Sequence, residues 1–393
     1  MKGHSSSAEK LAAACASGVA AAYLLWLVWL FVQNHWLLDR GGHPLVTDFL
    51  GVWSAGWLAE RGAASSAYSG LLQHAAQVEI IRHPFPGALG WPYPPSYLFV
   101  ALGLAKLGYL PGFLVFMGAT GTLFAAAVRT ISRERLAVLL ALAAPWTFAN
   151  VMVGQNGMLT AGLLGFGLVL LERRPVLAGV LLGLLSYKPQ FGVVVPLALI
   201  CGGEWRAFWS AAATVALVLL SSVLAFGTDA MDAFLVNLPM TAHTLLDEGA
   251  VGWAKLQSVY GAIRWAGATN LAAMAGQAFV TLSCAGVIGF LWRGAASPAR
   301  KAAALVCAAL LCTPYVFLYD LPALVIALAF LYRERTFDQT EILLIAVALG
   351  ASAAFAAFPA PMGLVSTIAV AAIVARRTVL ELQSQAAIIP SAS

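Results

Sequence analysis

Charge is what this sequence has least of. Asp, Glu, Lys and Arg make up 10% of its 393 residues, while 61% are apolar. An average soluble domain carries about 25% charged side chains. Seventeen acids and 22 bases cannot coat the water-facing surface of so long a chain. A soluble globular enzyme is all but excluded, and so is disorder, which needs low hydrophobicity and high charge. Cysteine is scarce as well. Cys15, Cys201, Cys284, Cys307 and Cys312 lie in or at the ends of apolar runs and form no C-x-x-C. They read as small buried hydrophobes, with no zinc site or redox pair. There is no G-x-x-x-x-G-K-[ST] loop, hence no ATP-driven pump, and no strand–glycine–helix unit for a dinucleotide. H-E-x-x-H is missing. His35, His43, His74 and His83 share one polar stretch, but their spacing fits no metal motif. No metal and no cofactor are expected.

What is present is a succession of apolar runs, which makes the chain an all-α, polytopic membrane protein. The run at 11–33 is too long for the core of a cleaved signal peptide, and reads as a first membrane helix with its N-terminus inside. The more polar stretch 34–91 follows as a large first external loop with interfacial helices. A membrane helix bundle fills 93–375, with a second external loop at 227–264, and 376–393 forms a cytoplasmic tail. The whole is one integral membrane domain of about 10–13 transmembrane helices. Basic residues collect between runs, at Arg129, Arg133 and Arg135, at Arg173 and Arg174, at Arg293, Arg300 and Lys301, at Arg333 and Arg335, and at Arg376 and Arg377. That distribution is topological, so the net charge of +5 gives no reason to expect nucleic acid. Two runs break the alternation of sides. The run 93–109, cut by Pro94, Pro95 and Pro111, is a re-entrant or short tilted helix. The run 175–201 is one kinked helix or two short ones, divided at Lys188-Pro189.

Six polar features interrupt this background. Asp48 opens a stretch in which Phe49, Trp53 and Trp57 share one helix face, the pattern of a helix lying in the headgroup layer. Asp48 is then an N-cap, a general base held at the lipid boundary, or both. Trp91-Pro92-Tyr93-Pro94-Pro95 reads as a rigid turn with aromatics at the membrane boundary. Gln155 and Asn156, flanked by Gly154 and Gly157 and preceded by Asn150, are either a polar turn or amides set to meet a hydroxyl-rich ligand. Lys188 sits inside an apolar run, where it costs roughly 2.5–3.5 kcal/mol unless it snorkels. A single phosphate is the natural partner for such a cation. Gln257 and Ser258 lie near Arg264 in the second external loop, a weak signal alone. Asp320, after Thr313-Pro314-Tyr315, is a second acid or a hydrogen-bond anchor.

The ordered set TDFLGVWSAGWLAERGAASSAY, YPP, VGQNG, LLGLLSYKPQ and TPYVFLYDLPAL resembles glycosyltransferase family 87 over roughly residues 40–330. The resemblance is to GT-C enzymes, similar to polyprenol-phosphate-mannose-dependent α-1,2-mannosyltransferases, and implies a GT-C-like bundle. It makes Asp48 the catalytic base. Lys188 matches the K-P element, Gln155 and Asn156 the G-Q element, and Gln257 and Ser258 an N-Q-S element in which Leu256 replaces Asn. Tyr93, of the YPP element, and Asp320 join these as substrate-binding candidates. The implied function is a membrane hexosyltransferase, mannosyltransferase-like and inverting. It takes sugar from a polyprenyl-phosphate donor to a lipid or glycan acceptor at the outer face of a bacterial inner membrane. Membrane lipid, donor and acceptor are its partners. A transporter or flippase of lipid-linked sugars is the rival reading.

Overall fold

The computed structural model describes residues 7–33, 47–82, 84–85 and 89–388. Among them all regular structure is helical and no strand occurs. Composition dictates this, because a chain in hydrocarbon must satisfy its own backbone polar groups, and a helix does so within one segment. Helix α1 (Ser7–Val32) is followed, beyond 34–46 and the His35 and His43 that fall outside the described residues, by α2 (Thr47–Glu60) and α3 (Gly70–Ile81). His83 is also outside them. A 3-10 turn at Pro95–Tyr97 leads into α4 (Leu98–Ala105), and α5 (Tyr109–Ser132) follows.

α2 lies inside protein. Phe49, Leu50, Val52 and Ala55 are buried, and α4 comes so close that a Cβ on Gly56 would stand 2.0 Å from the Ala101 carbonyl oxygen. The face carrying Phe49 and Trp53, which spacing alone assigns to the headgroup layer, packs on α5. The Phe49 ring meets Tyr109 and Phe113 edge-on at 5.2 and 5.4 Å. Trp53 packs on Tyr109 at 5.9 Å and donates from Nε1 to the Leu107 carbonyl at 3.2 Å. Periodicity reveals an apolar face but not its partner. Edge-to-face rings add about 0.5–1.5 kcal/mol each beyond burial, and headgroups offer no such contact.

The 3-10 turn of three residues and α4 of eight rise only about 18 Å together, against roughly 30 Å of hydrocarbon. By length alone this segment falls short of a full crossing. Arg129 lies in the last turn of α5, Arg133 caps it and Arg135 opens the next helix.

Pro145 bends the next run by 55° between α6 (Arg135–Ala143) and α7 (Pro145–Val153). Then come α8 (Gly157–Leu170), α9 (Pro175–Gly183), α10 (Pro189–Gly192), α11 (Val194–Cys201) and α12 (Trp205–Phe226). The stretch expected as a second external loop is largely helical. It holds α13 (Thr228–Ala242), a π turn at His243–Asp247 and α14 (Val259–Trp265), around a small separate core of Leu246, Leu256, Tyr260 and Ala273. The rest is α15 (Asn270–Arg293), α16 (Pro298–Leu311), α17 (Pro322–Glu334), α18 (Gln339–Ala354) and α19 (Met362–Ile388). α19 continues unbroken past position 376, where the tail was expected to begin.

Five helices among the described residues, α1, α5, α12, α15 and α19, are each long and apolar enough to cross a bilayer, and six if the bent α6–α7 pair counts as one. Several others are too short. α8, with 14 residues, rises about 21 Å. Short helices leave irregular backbone inside the bundle, which is tolerated only where protein encloses it. Three such breaks converge: the 154–156 turn between α7 and α8, Lys188 between the 3-10 turn at Leu184–Tyr187 and α10, and 312–321 between α16 and α17.

Candidate active site

The turn at 154–156 is set by its glycines. Gly154 takes φ 70°, the left-handed conformation that ends α7. Gly157 lets another chain segment pass: a Cβ there would lie 1.8 Å from the Tyr319 carbonyl oxygen and 2.9 Å from Asn150 Nδ2. That carbonyl accepts from Asn150 Nδ2 at 3.3 Å. Two of the three breaks are thus welded together.

Gln155 is held in a fixed orientation. Its Oε1 accepts from the Tyr93 hydroxyl at 2.9 Å and from the Asn156 backbone N–H at 2.9 Å. Its Nε2 is thereby aimed at Asp48 Oδ2, 3.2 Å away. Asp48, in the first turn of α2, is half-buried. The fold thus brings Asp48, Gln155 and Tyr93 into one hydrogen-bonded row, although they come from three separate motifs.

Lys188 and Asp320 form a second unit. Lys188 Nζ lies 2.6 Å from Asp320 Oδ1, with both side chains almost fully buried. Asp320 Oδ2 accepts from the Phe317 backbone N–H at 3.0 Å. The ammonium also lies 5.6 Å from the ring centres of Phe191 and Tyr319. Asp320 therefore neutralises the cation that sequence assigned to a phosphate. The two units adjoin, since the hydroxyls of Tyr93 and Tyr319 lie in the fields of both Asp48 and Asp320.

Gln257 and Ser258 are spent on backbone. Gln257 Nε2 donates to the Ala254 carbonyl at 2.7 Å, and its Oε1 accepts from Gly363 N at 2.6 Å. Ser258 caps α14 and donates to the Pro314 carbonyl at 2.9 Å. Gln257 N also donates to the Val316 carbonyl at 2.6 Å. Both residues anchor the extended segment that leads to Asp320. Asn156 is fully buried, with its side-chain amide against the Tyr97 hydroxyl.

Sequence reasoning gave no role to an aromatic wall that backs these groups. Tyr97 stacks on Trp91 at 5.7 Å and on Tyr187 at 4.7 Å. Tyr187 shares a 2.6 Å hydroxyl–hydroxyl bond with Thr160 on α8. Each tyrosine abuts a motif already noticed; the signal was an aromatic beside each polar break. Stacked rings with a few convergent polar groups suit a sugar, which has apolar C–H faces and hydroxyl edges.

Among the described residues, no group of three or more His, Cys, Asp or Glu is placed to hold a metal ion. Comparison with protein families finds a match to the model of glycosyltransferase family 87 over residues 91–314. No curated protein and no solved structure matches the chain.

Proposed function

The chain belongs to glycosyltransferase family 87 and is a membrane glycosyltransferase, and from that premise we propose that it moves a hexose, mannose-like, from a polyprenyl-phosphate donor to a lipid or glycan acceptor, with inversion, at the outer face of a bacterial inner membrane. The observation that carries this reading is the row Tyr93–Gln155–Asp48. It fixes a single carboxylate at the end of a buried helix and beside a polar, ring-backed site. An inverting displacement needs one base, unlike hydrolysis with its pair of carboxylates. Asp48 takes the proton of the acceptor hydroxyl as its oxygen attacks the anomeric carbon. The bond to phosphate breaks, and the phosphate leaves with the electron pair.

Lys188 has three N–H donors, of which Asp320 engages one. The reading gives the donor phosphate another, with Asp320 holding the ammonium in place. Gln155, Asn156 and Tyr93 orient sugar hydroxyls. Gln257 and Ser258, as anchors of 312–317, act on the site through Asp320.

The test is transfer of radiolabelled sugar from synthetic polyprenyl-phosphate donors by the purified chain in lipid nanodiscs. Asp48→Asn should fold normally, since its oxygen still accepts from Gln155, and should lose about 10²–10⁴-fold in rate. Wild-type turnover by that variant would remove Asp48 from the mechanism. The buried Lys188–Asp320 pair at a helix break is also what a transporter of lipid-linked sugars would carry. Sealed liposomes separate the two: sugar crossing the bilayer with no new glycosidic bond would favour transport.

A further inference from the structure

A second polar hollow lies at the far end of the bundle. α8 and α17 both begin beside the candidate site and run away from it. Their last turns, the 202–204 turn and the start of α16 enclose a cavity of about 420 Å³. Its charged lining is of both signs. Lys301 and Arg333 are cationic, Glu172 and Glu204 anionic. Glu334 lines it too, but is engaged by Arg300 at 2.5 Å and by Ser297 at 2.6 Å. Burial pushes the Glu204 carboxyl above its ordinary range, the neighbouring Glu172 adds to this, and Lys301 offsets only part. A cation placed between the two acids would relieve that repulsion. Trp292, 5% exposed, also lines the cavity, and its indole N–H has no hydrogen-bond partner among the described residues.

Beside this cavity, between α11 and α15, runs an apolar groove of about 630 Å³ lined by Leu197, Ala285, Gly286, Gly289 and Phe290. Sequence neighbours line the two hollows. Cys201 faces the groove and Gly202 the cavity, while Trp292 lines the cavity and Arg293 the groove.

We propose that the two hollows together bind one zwitterionic phospholipid with a primary ammonium headgroup, in the leaflet away from the candidate active site. Its phosphate meets Lys301, Arg333 and the Trp292 N–H, its ammonium sits between Glu172 and Glu204, and an acyl chain lies along the groove. An anionic lipid without an ammonium would leave the two acids facing each other. A quaternary ammonium lacks the N–H donors that two carboxylates call for. The apolar groove alongside selects a lipid over a free headgroup.

Native mass spectrometry of the purified full chain tests this. Phosphatidylethanolamine, phosphatidylcholine and phosphatidylglycerol are supplied at equal concentration, with glycerophosphoethanolamine as the chain-free headgroup. One phosphatidylethanolamine should be retained about tenfold over the other two lipids, the effect of one charge-assisted hydrogen bond. Glu204→Gln should erase that preference, while Lys301→Met and Trp292→Phe, which remove contacts to the phosphate common to all three lipids, should weaken retention of all three. Preferences are compared for variants that unfold at the wild-type temperature. Equal retention of the three lipids by the wild type overturns the proposal. So does a preference that survives in folded Glu204→Gln, undiminished retention of all three lipids by folded Lys301→Met, or glycerophosphoethanolamine binding as tightly as the lipid.

Discussion

A glutamine decides how the candidate base is presented. Gln155 meets Tyr93 and the Asn156 N–H with its oxygen, so it has only N–H to offer Asp48. Gln155→Glu replaces that donor by a second carboxylate. Like charge disfavours ionisation of the pair, so the acid limb of the pH–rate profile should move to higher pH. An unchanged limb would show that Gln155 does not govern the base. Tyr93→Phe keeps the ring and removes one anchor of the amide, and a smaller loss of rate is expected. The Lys188–Asp320 pair makes a sharper case. Lys188→Met strands a buried carboxylate and should cost about 3–5 kcal/mol. Lys188→Met with Asp320→Asn removes both charges and should recover most of that stability. Sugar transfer should stay impaired in the double variant, because the phosphate has lost its cation. Recovery of transfer along with thermal stability would make the pair purely structural.

Short helices are what build the site at the level of elements. Had α8 been long enough to span the bilayer, no turn at 154–156 would lie inside the bundle. The same holds for the break at Lys188, where Pro189 cannot continue the preceding helix. The weld between α8 and the 312–321 segment depends on Gly157. Gly157→Ala drives a methyl into the Tyr319 carbonyl, and overpacking of this kind costs about 1–3 kcal/mol. Because Asp320 is the next residue, transfer should fall further than stability alone explains. Thermal unfolding and rate measured on the same preparation check both parts. Wild-type values in each would mean the two segments are not held against one another.

The molecule as a whole is closed at the end opposite the site by an ionic network. Arg377 bonds Glu341 through Nε at 2.9 Å and Nη2 at 2.8 Å, and its Nη1 reaches Glu334 at 3.4 Å. Arg300 engages both Glu334 and Glu381. Helices α16, α17, α18 and α19 are tied together by these contacts. Read as a string, the same arginines mark only the side of the membrane on which they lie. At the edge of the network, the Glu341 backbone N–H and the Arg376 guanidinium hold the Asp338 carboxyl below its ordinary range. A carboxyl depressed on folding gives stability that is complete above its unfolded pKa and is lost as pH falls through its folded one. The melting temperature should therefore drop on acidification below about pH 4, where free aspartate takes up its proton. Asp338→Asn should flatten that drop, and an identical acid profile in the variant would remove Asp338 from the linkage.

Fold class and family were legible along the chain because both depend on composition and on local order. Too little charge for a water-facing surface dictates a membrane bundle, and ordered short motifs point to the family and to Asp48, Gln155 and Lys188 as candidates. What distance in sequence hides, only packing decided. The Phe49 and Trp53 face found α5 instead of the headgroups, because an apolar stripe does not carry the identity of what covers it. Gln257 and Ser258 turned to backbone carbonyls, because a buried polar side chain bonds whatever the neighbouring segment presents. Lys188 met Asp320, 132 positions away, because a charge left in a low-dielectric interior must be balanced by its opposite.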